Sequence, residues 1–147
     1  MGGVFDDSVK IRKEKFYEER KNVNIILLLD ATSSMDVYSE SVYQAIKSGC
    51  EYFDGTKYKI KIGVMLYRDQ ADGEFETEWL RPTDPNNPNL LTFIQNGGKY
   101  GYKSDSKDKT NTESLFYGMH EALMRFRNPA HSNVLVVVGD CGNNQSD

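Results

Sequence analysis

Asp30, Thr32 and Ser34 stand at alternate positions immediately after Ile25–Leu29, a run of five branched aliphatics. One carboxylate and two hydroxyls at that spacing can bring three oxygens around one point, the donor chemistry that a hard cation such as Mg²⁺ takes. The aliphatic run is too short to span a membrane and suits a central parallel strand covered on both faces. In open α/β sheets, ligands collect at the carboxyl ends of such strands. A second apolar run, Val134–Val138, ends in the same way at Gly139-Asp140. Asp30 and Asp140 would then lie at like ends of two strands that can be neighbours, where two carboxylates repel unless a cation sits between them. A fifth oxygen can come from Thr110 or Thr112, at the start of a predicted helix. Few carboxylates, several neutral hydroxyls and water fit near-octahedral Mg²⁺, or Mn²⁺, better than an eight-oxygen Ca²⁺ cage.

The elements that must position these groups can be read from periodicity. Asp7–Arg20 carries apolar residues at Val9, Ile11, Phe16 and Tyr17 and reads as an amphipathic lead-in helix capped by Ser8. The strand Asn24–Leu29 follows. Val42, Tyr43, Ile46, Cys50 and Phe53 give Ser39–Phe53 a helical spacing, stopped at Gly55-Thr56. Tyr58–Tyr67 alternates and then turns apolar, as a strand entering the sheet interior would. Glu74–Leu80 reads as a short strand returning antiparallel after the Ala71-Asp72-Gly73 turn. Pro82, Pro85 and Pro88 mark a loop before a short helix, Asn89–Gln95. The Gly-, Lys- and Ser-rich stretch Asn96–Lys109 predicts a mobile loop. Thr110–Phe126, with Leu115, Met119, Ala122, Leu123 and Phe126 on one face, predicts a helix closed by Pro129.

This succession predicts an α/β fold: a Rossmann-like three-layer sandwich with helices on both faces of a mainly parallel sheet and one antiparallel edge strand. The expected strand order is hairpin strand, Tyr58–Tyr67, Asn24–Leu29, Val134–Val138. Residues 1–21 form the lead-in segment and 22–147 the domain.

With 147 residues the chain has the usual length of one domain, and 18 Lys+Arg against 22 Asp+Glu give a net charge of −4. That balance offers no footprint for nucleic acid or an anionic membrane surface. No segment has the length and apolarity of a membrane span, and the N-terminus lacks a signal-peptide core. Cys50 and Cys141 fall on elements this fold would keep apart, so both read as free thiols, which leaves the compartment open. His120 and His131 have no partner at ligand spacing. Asn144-Gln145-Ser146 matches the glycosylation sequon, a short and unspecific match.

Taken in order, Asp30-Ala-Thr32-Ser-Ser34-Met35, Thr110-Asn111-Thr112 ahead of a helix, and a strand ending at Asp140 resemble the von Willebrand factor type A (vWA) domain with its metal-ion-dependent adhesion site. In that family the motif reads Asp-x-Ser-x-Ser, with a distant Thr and a distant Asp. The resemblance covers roughly Asn22 to Asp140 and implies Asp30, Thr32, Ser34, Thr110 and Asp140 as ligands of Mg²⁺ or Mn²⁺. Thr32 departs from the commonest Ser but keeps the hydroxyl. Asp69 and Thr112 are candidates to support those ligands from behind. Asp-x-Thr-x-Ser-Met, with Tyr67-Arg68-Asp69 after the second strand, is similar to bacterial and kinase-associated members. The family sheet usually continues past the Asp140 strand, so by this resemblance the C-terminal part of the sheet is missing.

The function this implies is a metal-dependent protein-binding module whose ion completes its shell with an acidic side chain of a partner protein. The alternative is a scaffold domain of a larger bacterial envelope or secretion assembly, without an exchangeable metal. Asp30 as a helix cap, Thr110 as a cap, and Tyr67-Arg68-Asp69 as a strand end with a surface ion pair are the plainer roles for these residues. An enzyme is disfavoured. A dehalogenase-type phosphatase would need a second Asp at position 32, and no phosphate loop, Ser–His–Asp set or Gly-x-Ser-x-Gly elbow occurs. The apolar strand Val134–Val138, expected at a sheet edge, predicts self-association or a partner chain packed there.

Overall fold

The computed structural model of the chain describes the backbone of residues 3–68, 77–103 and 111–140, with their side chains except at 3–5 and 111–114. Thr110, Asp69, Cys141, the 71–73 turn, the sequon and the side chain of Thr112 lie outside what is described. The elements are α1 (Gly3–Arg20), β1 (Asn22–Asp30), a 3-10 helix (Ser33–Tyr38), α2 (Ser39–Glu51), β2 (Lys59–Tyr67), β3 (Thr77–Thr83), α3 (Pro88–Asn96), α4 (Asn111–Phe126) and β4 (Ser132–Val138).

The strands form one sheet in the order β3-β2-β1-β4. β1 runs parallel to β2 and to β4, and β3 pairs antiparallel with β2. This is the expected order. Alternation along β1 sends its side chains into two cores. Leu27 and Leu29 join Met35, Tyr43, Leu90 and Ile94 under α2 and α3. Ile26 and Leu28 meet Met65, Tyr67, Ala122 and Phe126 under α4. Helices therefore cover both faces, and Ile26–Leu29 have no exposed surface. Each such side chain contributes roughly 1.5–3 kcal/mol on burial, so β1 is the rigid element that carries Asp30.

Local chemistry sets the ends of α3. The Asn87 side chain accepts from the Asn89 N–H at 3.0 Å, Pro88 opens the first turn, and Gly97 closes the helix at φ 64°.

The structure corrects two sequence expectations here. β3 continues past Leu80 through Pro82 to Thr83, because an edge strand tolerates a residue with no N–H to donate. α1 does not lay an apolar face on the domain: Val9, Ile11, Phe16 and Tyr17 are all exposed. Its end alone is tied down, with Arg20 Nη1 donating to the His131 carbonyl at 2.5 Å and the Ser132 hydroxyl to the Arg20 carbonyl at 2.9 Å. The apolar β4 lies at the sheet edge, where the expected strand order places it. Among the described residues it pairs with β1 alone, and Val134 and Val137 are each 46% exposed. No helix among the described residues is long and apolar enough to cross a membrane.

Candidate metal centre

Asp30 is the last residue of β1 and is 6% exposed. The backbone N–H of Thr32 donates to Asp30 Oδ1 at 2.8 Å and the Thr32 hydroxyl donates to the same oxygen at 2.6 Å. This two-residue return folds the chain over the strand end. The hydroxyl oxygens of Thr32 and Ser34 are 3.5 Å apart. Met35, nearly fully buried against the α2 side of the core, fixes the far end of the loop. Asp30, Thr32 and Ser34 therefore converge as the alternate spacing predicts.

Asp140 follows β4 and carries an exposed carboxylate. The chain reaches it through Gly139, packed so tightly that a Cβ there would lie 3.2 Å from Asp30 Cβ, 3.5 Å from Asp30 Oδ2 and 2.8 Å from the Tyr67 hydroxyl. A side chain here would press on Asp30 and the Tyr67 hydroxyl, and the approach brings the β4 end alongside the Asp30 carboxylate. Burial lifts the Asp30 carboxyl above its ordinary value, the two Thr32 hydrogen bonds pull it down, and the nearby Asp140 carboxylate pushes it up again. The net shift is upward, so an ionised Asp30 is disfavoured here unless positive charge is brought to it.

Of the sequence-predicted ligands, the described residues bring Asp30, Thr32, Ser34 and Asp140 to one end of the sheet. Thr110 and Asp69 lie outside the description, as does the side chain of Thr112. Among the described residues no three His, Cys, Asp or Glu side chains gather as a metal cluster. The donor set is instead two carboxylates with two hydroxyls, and the buried carboxyl of Asp30, raised above its ordinary value and beside Asp140, fits a hard cation of the Mg²⁺ type.

The family model described as the TssR protein VWA domain matches residues 4–147. The chain belongs to this TssR VWA-domain family. Its fold is similar to that of the pilus adhesin SpaC from Lactobacillus rhamnosus GG in the crystal structure of its open conformation. The TM-score is 0.55 at 13% identity, over 81% of this chain and 14% of the adhesin's length. No curated protein matches. A vWA-type domain with a mixed, mainly parallel sheet is thus established for the TssR-type chain.

Three residues beside the loop carry no signal in sequence strong enough to mark them. Tyr67 reads as the end of a strand, Gly139 as the residue between the Val134–Val138 strand and Asp140, and Glu78 as part of the short strand Glu74–Leu80. Arg68, expected in a surface ion pair, is instead 1% exposed and bonded to Glu78 in the interior. The stretch expected to be mobile is tied down over its described part. Its Gly97 and Gly101 carbonyls accept from Arg68, and the Lys103 N–H donates to the Ala31 carbonyl at 3.0 Å.

Proposed function

We propose that this TssR-type VWA domain is a divalent-metal-dependent protein-binding module. Asp30, Thr32, Ser34, Thr110 and Asp140 would hold Mg²⁺ or Mn²⁺. The observation that carries the reading is the buried Asp30 carboxyl, raised above its ordinary value with Asp140 beside it. Two acids gathered at a strand end cost stability when both ionise, and a cation reverses the sign of that interaction. The ion supplies a positive charge with an open coordination position, to which a carboxylate of a partner protein is drawn. Around it, Thr32 orients Asp30 through two hydrogen bonds, and Gly139 leaves space for Asp140 to approach.

A scaffold role without an exchangeable metal is the second reading. It draws on the fact that Asp30 Oδ1 already accepts two hydrogen bonds from Thr32, as a purely structural turn would. Water-proton relaxation with Mn²⁺ separates the two. The binding module should enhance relaxation through water on the bound ion, and a peptide bearing a glutamate should lower it by displacing that water. A chain that leaves the signal of free Mn²⁺ unchanged would favour the scaffold.

A further inference from the structure

Arg68 follows the last residue of β2 and turns inward, its side chain fully buried against a Glu78 side chain that is 11% exposed. Its Nη2 donates to Glu78 Oε2 at 2.7 Å, to the Gly97 carbonyl at 2.8 Å and to the Gly101 carbonyl at 2.7 Å. Its Nε donates to the Gly101 carbonyl at 3.2 Å. Glu78 in turn accepts from the Lys99 N–H at 2.7 Å and the Tyr100 N–H at 3.4 Å. The turn after α3 thus wraps the ion pair, giving its carbonyls to the arginine and its amides to the glutamate. Gly98, at φ 69°, passes so close that a Cβ would sit 2.5 Å from Glu78 Oε2.

Two residues beyond this turn, the Lys103 N–H reaches the carbonyl of Ala31, the residue between Asp30 and Thr32. The Ala31 N–H donates to the Tyr67 carbonyl at 2.9 Å, and Tyr67 precedes Arg68. The bonds close a ring from Arg68 through Gly101, Lys103 and Ala31 back to Tyr67. Buried ion pairs add little net stability compared with apolar packing, while breaking one partner is costly. What such a network supplies is fixed direction for the backbone groups around it.

We propose that Arg68 and Glu78 are positioning residues for the candidate centre: their clamp on the turn Gly97–Lys103 holds the Asp30–Thr32 loop in its oxygen-converging form and so sets how tightly the loop takes a divalent cation. This rests on the metal-binding reading above. Support that lies behind the ligands commonly changes metal affinity by about 10–100-fold when removed.

The test uses the 147-residue chain with Glu78→Gln, which keeps one oxygen for the Lys99 amide but removes the charge opposite Arg68. Gly98→Ala supplies a second variant with both charges retained and the Glu78 carboxylate displaced. Ile94→Val, in the core under α3, is the control for lowered stability without a change in the clamp. The readouts are Mg²⁺ affinity by calorimetry and hydrogen exchange of the Thr32 amide, taken where circular dichroism shows each variant folded. The clamp predicts at least tenfold weaker Mg²⁺ and faster Thr32 exchange in Glu78→Gln and Gly98→Ala, with Ile94→Val like the wild type. Wild-type affinity and exchange in Glu78→Gln would overturn the clamp and leave the metal reading standing. If the wild-type chain takes up no Mg²⁺, the metal reading falls, and with it the cation part of the inference. Thr32 exchange then decides the clamp: faster in Glu78→Gln supports it, unchanged overturns it.

Discussion

Gly139 passes so close to Asp30 that a methyl group on it would lie 3.2 Å from the Asp30 Cβ and 2.8 Å from the Tyr67 hydroxyl. The ends of β1, β2 and β4 meet at this point, and a side chain at residue 139 would make Tyr67 and Asp30 give way. Gly139→Ala should therefore cost about 1–3 kcal/mol of stability, the usual range for overpacking. Urea unfolding of the two proteins gives the difference directly.

Asp30 has a pH signature. Its folded-state pKa is raised, chiefly by burial, so its contribution to stability is fully present below the ordinary value of about 3.9 and is lost as pH rises through the folded value. Asp30→Asn, which keeps an oxygen for Thr32, removes that loss. Without added metal the variant should gain on the wild type as pH rises from acid to neutral. Thermal melts across that range, with chelator present, should show the two curves diverging upward in pH. Curves that stay parallel would place Asp30 in an unperturbed environment.

Tyr102 gives an independent signature at the other end of the scale. Burial is the main cause that pushes its hydroxyl up to about 12, and the hydroxyl donates to the Ile94 carbonyl. An unfolded tyrosine ionises near 10, so folded-state stability is intact below that value and falls as pH rises toward about 12. Tyr102→Phe should flatten this decline. Stability at high pH, measured in denaturant for both chains, checks it.

The interior strands were legible because a run such as Ile25–Leu29 has no other place in a domain of this size, and because Asp closes both such runs. The order β3-β2-β1-β4 followed from one hairpin and two crossovers. The local gathering of Asp30, Thr32 and Ser34 was legible because they are neighbours in sequence, and local geometry alone joins them. What could not be read depends on distant residues. The stretch from Gly97 to Lys103 looks mobile by composition, yet its order comes from Arg68, just after β2, and Glu78 on β3, which precede it in sequence. Gly139 gives no hint in sequence that Tyr67 stands opposite. The edge position of β4 followed from the same strand order, while its apolar composition speaks of burial without saying what provides it.

That edge leads to its own expectation. Val134 and Val137 are exposed on a strand that pairs on one side only among the described residues, an arrangement that favours pairing with another chain. The isolated chain should associate with itself in a concentration-dependent way. Val137→Lys should weaken this while changing stability by less than about 0.5 kcal/mol, as for exposed positions generally. Sedimentation velocity over a range of concentrations reads both chains. A wild type that stays monomeric throughout would count against the edge as an association surface.

The central claim is most directly tested by calorimetric titration of Mg²⁺ into the metal-free chain, alongside Asp30→Ala and Asp140→Ala. The account predicts a saturable one-site isotherm for the wild type, abolished in Asp30→Ala and weakened at least tenfold in Asp140→Ala, with all three chains folded. At a free ion concentration about 100 times the measured Kd, the wild type should also gain about 2.7 kcal/mol of stability. No saturable heat from the wild type with Mg²⁺ or Mn²⁺, or an isotherm that the two alanine variants reproduce unchanged, would contradict it.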